Sequence, residues 1–338
     1  MNIILLRRFE KRMSFLGGVR RLPGYISLGV PMMVGLTGFV YYTSLEEVII
    51  TKRKRILLAT TDAWERRLGD VEYKRLLKQY QSDILPSHHR ATRTVTRVGS
   101  RIASSASELQ TSLSSSQQTN NHNTTEGYTF TVVRSDDVAN AFVLPNNHVF
   151  VMTGLFRFIN DEDELASVLG HEVAHNLARH AGERVSGNWF FHLLARMTYL
   201  LDPTGVLYTL FVPTVTLLRQ LPHSREHEME ADHIGLYLAA NACYDPRAAK
   251  RVFTSMKHQH QPNNKKISSP PEFMSTHPSY DTRIDQFNVL MPKALQYYHH
   301  NRCQKIRNQM KLARQQAAIL ATKEEEQQQQ HKKAGTKR

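Results

Sequence analysis

Cysteine is scarce in this chain of 338 residues: Cys243 and Cys303 are the only two. That excludes a disulfide-rich secreted scaffold and a zinc site built from cysteines alone. The pair can bond in an oxidising compartment, although no spacing rule requires it. Acidic residues are scarce at both ends. Residues 1–60 hold ten Lys/Arg against three acids, residues 301–338 again ten against three, and the stretch between them balances at 24 of each. A nucleic-acid-binding domain concentrates positive charge on its folded body. Here the net charge of +14 sits in the arms, so nucleic acid is set aside as a partner. Charged residues make up 22% against 41% hydrophobic, a balance that excludes wholesale disorder and supports a packed core. No internal repeat is apparent. What is plentiful is histidine, with 17 residues, and that directs attention to metal chemistry.

Long apolar runs are also few. Residues 1–24 carry Arg7, Arg8, Lys11, Arg12, Arg20 and Arg21 with Glu10 as the sole acid, interleaved with Ile3, Ile4, Leu5, Leu6, Phe9, Phe15 and Leu16. Basic, acid-poor and amphipathic, this arm reads as mitochondrial targeting; the alternative is the cytoplasmic flank of a bacterial or endoplasmic-reticulum anchor. Residues 22–45 run without a charge, and 25–45 read as a transmembrane helix with Tyr25, Tyr41 and Tyr42 at the interfaces. The larger basic cluster before it favours an N-terminus on the matrix side. Residues 46–320 then form the folded domain and 321–338 a charged, glutamine-rich tail. Apolar spacing predicts helices over 62–82 and about 88–105, and alternation predicts strands over 128–134, 140–144 and 148–152. The Ser/Thr/Asn/Gln tract 103–126 reads as a flexible surface insertion. The apolar segment 189–221 reads as a buried or membrane-surface helical hairpin, with a second membrane pass as the alternative. The fold class is mostly α with a small β-sheet, α+β.

One motif carries the chemistry: His171-Glu172-Val173-Ala174-His175. On a helix, residues four apart share a face, so both imidazoles reach one zinc ion while Glu172 points beside it, placed to take a proton from water. The uncharged Val168, Leu169, Asn176 and Leu177 suit a buried helix. Asn160, Asp161, Asp163 and Glu164 suit its start, giving a helix over about 161–180. A catalytic zinc needs a third protein ligand. In SREHEMEADHIG, residues 224–235, helical angles place Ala231, Asp232, Gly235, Ala239 and Ala242 on one face with Glu228. Those small residues permit close helix approach, so Glu228 is the expected ligand and Glu226 and Glu230 read as solvated charges. Asp232 is placed to accept a hydrogen bond from a ligand histidine, with a helix-face ion pair to Arg225 or Arg247 as the alternative. His277, fixed before Pro278 with Arg283 nearby, is a candidate for oxyanion stabilisation or an ordinary turn residue. His148, Val149, Phe150 and Val151 are candidates for an exposed strand that holds an extended peptide, against an ordinary hairpin covering the core. His223, His227, His233, His258 and His260 receive no role.

The HEVAH motif, Glu228 in an ExxAD helix 53 residues after His175, and the late STHP resemble the membrane zinc-endopeptidase clan that includes HtpX and the CAAX prenyl proteases. Within it, NAFVLPNNHVFVMTGLF, LASVLGHEVAHNLARHAGER and STHPSYDTRI resemble the mitochondrial inner-membrane metalloendopeptidase family whose activity overlaps that of the m-AAA protease. The resemblance implies a zincin-type domain behind an N-terminal transmembrane helix, with one Zn2+ per subunit. It further implies ATP-independent cleavage of inner-membrane polypeptides, a catalytic domain facing the intermembrane space, contact with the lipid bilayer, and a homo-oligomer. Asn146-Asn147 stand where such proteins usually carry Gly-Gly; asparagine tolerates positive φ better than most residues. Two other readings remain open: a prenyl-peptide zinc protease of the endoplasmic reticulum, and a non-catalytic, zinc-stabilised membrane scaffold.

Overall fold

The computed structural model describes residues 45–48, 50–56, 60–114, 127–201, 204–259, 280–300 and 303–313, plus a few isolated positions that include Phe273 and His277. A short antiparallel hairpin opens it, β1 (Leu45–Glu47) with β2 (Lys54–Ile56). Helices α1 (Asp62–Gln79) and α2 (Arg90–Ser114) follow. Then comes a three-stranded sheet of β3 (Thr129–Val133), β4 (Ala141–Val143) and β5 (His148–Met152). A 3-10 turn, Thr153–Arg157, leads into α3 (Glu162–Leu177), α4 (His180–Leu201) and α5 (Val206–Asn241). The last two described long helices are α6 (Arg247–Gln259) and α7 (Tyr280–Tyr298). The chain is mostly helical with small sheets, as its periodicities predict.

Helix α3 is the centre of the packing. Leu165, Ala166, Val168, Leu169, Val173 and Ala174 are buried around its whole circumference, the signature of a helix enclosed on every side. It lies against α5, α2, α6 and β4. Its start is capped as the acids before it suggest: the Asp161 carboxylate accepts from the Glu164 amide (2.8 Å), and Glu164 accepts from the Asn160 amide (2.7 Å). The crossing with α5 is close because both helices present glycine. A Cβ on Gly235 would lie 2.8 Å from the His171 nitrogen, and one on Gly170 would lie 2.9 Å from the Gly235 carbonyl oxygen. The small-residue face read from the sequence therefore meets α3 backbone to backbone.

Two expectations change and one open question closes. Helix α2 continues through the first half of the polar tract as far as Ser114, because Ile102 and Ala106 are buried and Leu109 packs on the same core at helical spacing. Residues 115–126 lie outside the described residues. Strand β5 is not an exposed edge. The sheet order is β3-β5-β4, with β5 parallel to β3 and antiparallel to β4, so both its sides are paired. Val149, Phe150 and Val151 are fully buried as a result, and the His148 ring stacks on Tyr73 at 3.6 Å. Finally, Cys243 and Cys303 form a disulfide. The turn between β4 and β5 takes the positive φ that asparagine allows, at Asn147 (φ 65°). Of segment 189–221, residues 189–201 belong to α4 and 206–221 to α5. No helix among the described residues is long and apolar enough to cross a membrane. The expected arm 1–24 and tail 321–338 lie outside the described residues, and of 25–45 only Met32, Gly35, Gly38, Phe39, Tyr42 and Thr43, all helical, and Leu45 are described.

Candidate metal centre

Four side chains from three parts of the chain converge. His171, His175, Glu228 and His277 each offer a donor atom, and all four atoms lie within 4.8 Å of one another. Helix α3 supplies the two histidines one turn apart, α5 brings Glu228 across the glycine crossing, and His277 arrives from the segment before α7. His171 Nε2 is 3.0 Å from His175 Nε2 and 3.3 Å from Glu228 Oε2, and His175 Nε2 is 3.5 Å from Glu228 Oε1. His277 Nδ1 lies 2.8 Å from Glu228 Oε2 and 3.2 Å from His171 Nε2. His171, Glu228 and His277 are all buried.

Charge explains the arrangement. Burial and the Arg283 charge work against protonation of His171, yet Asp232 and Glu228 outweigh them and raise it to about 9. Burial, then the charge on His171, push His175 well below the ordinary range. Burial opposes ionisation of Glu228, but hydrogen bonds from His171 and His277 prevail and hold it well below the usual carboxylate range. His171 Nε2 thus lies 3.0–3.3 Å from His175 Nε2, His277 Nδ1 and Glu228 Oε2 together, more neighbours than a single N–H can satisfy. A divalent cation satisfies them all. Ligands bonded at 2.0–2.1 Å in a tetrahedron stand about 3.3 Å apart, close to the separations present here. Two imidazoles and a carboxylate are also zinc donors by type. The residues therefore fit the ion, and proton and metal compete for the same nitrogen.

Glu172 sits beside this cluster. Its Oε1 is buried with no hydrogen-bond partner and lies 3.4 Å from His277 Nε2. Burial raises its pKa above the ordinary carboxylate value. Asp232 is where the helical angles put it: its Oδ1 accepts from His171 Nδ1 at 3.0 Å. Its ion-pair partner is neither Arg225 nor Arg247 but the fully buried Arg283, whose Nε and Nη2 meet the two carboxylate oxygens at 2.6 and 2.7 Å. Burial opposes ionisation of Asp232, and the Arg283 charge with the His171 hydrogen bond lowers its pKa all the same.

The structure separates the remaining candidates. His277 joins the converging group itself. His148, Val149, Phe150 and Val151 do not; the outer strands of the sheet are β3, bridged at Val133 by Ile84, and β4. Glu226 is exposed as expected, but Glu230 is not a solvated charge. It is buried and accepts from Arg53 Nη2 (2.7 Å), His180 Nε2 (3.0 Å) and Thr51. His227 is buried as well, stacked on His180 at 4.3 Å. These residues were missed because a single-helix projection shows only one partner face. The face of α5 away from α3 is covered by α4 and by the β1–β2 hairpin, and nothing in the spacing of SREHEME announces that.

The model of peptidase family M48 matches residues 103–289 of the chain. The mitochondrial metalloendopeptidase OMA1 of Schizosaccharomyces pombe is 36% identical over 263 residues, covering 76% of this chain and 69% of that protein. The Saccharomyces cerevisiae protein of the same name is 28% identical over 283 residues, 83% of this chain and 79% of the relative. The mitochondrial metalloendopeptidase OMA1 of Bos taurus is 30% identical over 309 residues, with 85% of this chain matched to 53% of that longer protein.

Proposed function

The chain belongs to peptidase family M48, in the branch of the mitochondrial OMA1 metalloendopeptidases, and on that footing we propose how this zinc metalloendopeptidase works and where. His171, His175 and Glu228 would hold the ion, with His277 as a further donor. When bound, zinc acts as a Lewis acid that lowers the pKa of a coordinated water to about 7 and polarises the scissile carbonyl. Glu172 takes the proton from the attacking water and delivers it to the leaving amine nitrogen. Its raised pKa suits both halves of that task, because a carboxyl shifted toward neutrality accepts and releases a proton readily. His277 Nε2, next to Glu172, is placed to donate to the developing oxyanion. Asp232 holds the His171 ring in the tautomer that offers Nε2 to the ion. An extended substrate pairs along the open side of β4, which faces α3.

The observation that carries this reading is the convergence of four donor atoms beside a buried carboxyl oxygen that lacks a partner. The substrates are polypeptides of the mitochondrial inner membrane, cleaved without ATP in quality control and stress-linked processing. The protein is anchored by residues 25–45 as a single span, works as a homo-oligomer, and presents its catalytic domain to the intermembrane space. Cleavage of an unfolded membrane-protein substrate by the purified chain tests the chemistry. Chelation should stop cleavage and added Zn2+ restore it. Glu172→Gln should keep the metal and lose at least about 100-fold in kcat. Near-normal turnover by that variant would remove Glu172 as the base.

A further inference from the structure

Each histidine of the HEVAH motif turns one ring nitrogen to the centre and the other away from it. For His171 the outward nitrogen is Nδ1, held by Asp232, which Arg283 holds in turn. For His175 the outward nitrogen is also Nδ1, and it meets another imidazole: His180 Nδ1 at 2.8 Å. His180 is almost wholly buried, and its Nε2 lies 3.0 Å from Glu230 Oε2. Arg53 closes the series by donating through Nε (2.9 Å) and Nη2 (2.7 Å) to that same oxygen, while its outer nitrogens bind Glu183 at 2.8 and 2.6 Å.

Hydrogen-bond directions through this series follow from donor and acceptor chemistry for a neutral His180 ring. A guanidinium has donors only, so Glu230 accepts from Arg53 as a carboxylate and must accept from His180 too. His180 therefore carries its proton on Nε2 and has an electron pair on Nδ1. Two nitrogens 2.8 Å apart share one proton, so His175 donates from Nδ1 and keeps an electron pair on Nε2, the atom that faces the centre. The chain path makes this contact possible. Helix α3 stops at Leu177, and Arg179 turns the backbone at φ 55°, held there by Asp62 (2.8 Å) and Glu65 (2.6 Å). Helix α4 then starts at His180 and brings its ring back over His175.

We propose that His180, Glu230 and Arg53 form a positioning relay that fixes the tautomer and orientation of His175 and ties the metal centre to the β1–β2 hairpin. None of the three touches substrate; they act through His175. The hairpin is the element next in sequence to residues 25–45, so three consecutive hydrogen bonds join the membrane-proximal segment to a metal-binding imidazole. The relay rests on the assignment of His175 as a ligand.

The test is zinc affinity of the full-length chain in detergent, measured by competition with a chromogenic chelator, together with the absorption spectrum of the Co2+-loaded protein. His180→Ala should weaken zinc binding about 10- to 100-fold and shift the Co2+ bands, while the thermal midpoint of the metal-stripped protein moves little. His180→Gln, whose amide can accept from His175 and donate to Glu230, should recover most of the affinity. Arg53→Met, remote from the ion, should give a smaller loss of the same kind. Zinc affinity within twofold of wild type and an unchanged Co2+ spectrum in His180→Ala would overturn the relay. If that variant does not fold, the same result in Arg53→Met overturns it. A wild-type chain that binds no zinc would overturn the relay together with the ligand assignment, whereas normal wild-type binding with indifferent variants removes the relay alone.

Discussion

Among the described residues Arg283 is the largest fully buried side chain, and its charge is matched by Asp232 through two short hydrogen bonds. It also approaches Glu228 at 3.4 Å and donates to the His277 carbonyl oxygen at 3.2 Å. One guanidinium thus braces a carboxylate from α5, the partner of His171, and the backbone of His277. Removing it strands Asp232 as a buried, unpaired charge, the costly way to break such a pair. Arg283→Met should lower the unfolding free energy by about 3–5 kcal/mol in urea titrations, far more than loss of a surface ion pair. A change under about 1 kcal/mol would mean that Asp232 is satisfied without it. At this scale the sequence was informative wherever a motif or a helix face did the work. His171, Glu172 and His175 follow from their spacing, and Glu228 and Asp232 from their angle on α5. Arg283 and Glu230 were not legible in the same way, because each finds its partner across more than 40 residues of chain.

The α3–α5 crossing is the element on which the centre depends. Gly170 and Gly235 let the two backbones touch, and that closeness is what carries the Glu228 carboxylate to the α3 histidines. Gly235→Ala sets two effects against each other. Alanine improves helix propensity by about 1 kcal/mol. Its methyl would meet the backbone of Gly170 and His171 at under 3 Å, and backbone cannot swing aside as a long side chain can. Overpacking of that kind costs about 1–3 kcal/mol, so the net effect should be destabilising. It should also weaken zinc binding by moving Glu228 outward, and chelator competition would show it. A stabilised variant with wild-type affinity would contradict the crossing described here. Helix and strand positions were largely readable from periodicity, since α1, α3 and the three strands of the main sheet fall close to their expected spans. The end of α2 was not, because its polar composition hides the sparse apolar spacing of Ile102, Ala106 and Leu109. Strand order was not either: β5 looks like an edge in sequence, yet parallel pairing with β3 covers its second side.

Over the whole molecule, residues 61–300 balance at 24 basic and 24 acidic side chains around a compact set of ionised groups, while the excess positive charge lies in residues 1–60 and 301–338. The Cys243–Cys303 disulfide joins the C-terminal end of α5 to the helical segment 303–313, so the helix that carries Glu228 is covalently tied to the end of the domain. That link was left open by the sequence, where 60 residues separate the two cysteines and no motif frames them. The whole arrangement stands or falls on one ion held between α3 and α5. Crystals of the purified enzyme, measured on both sides of the zinc absorption edge, show directly where that ion is. The expected result is a single anomalous peak per chain, about 2.0–2.2 Å from His171 Nε2, His175 Nε2 and a Glu228 carboxylate oxygen. A peak elsewhere, or none in zinc-supplemented and catalytically active protein, would contradict it.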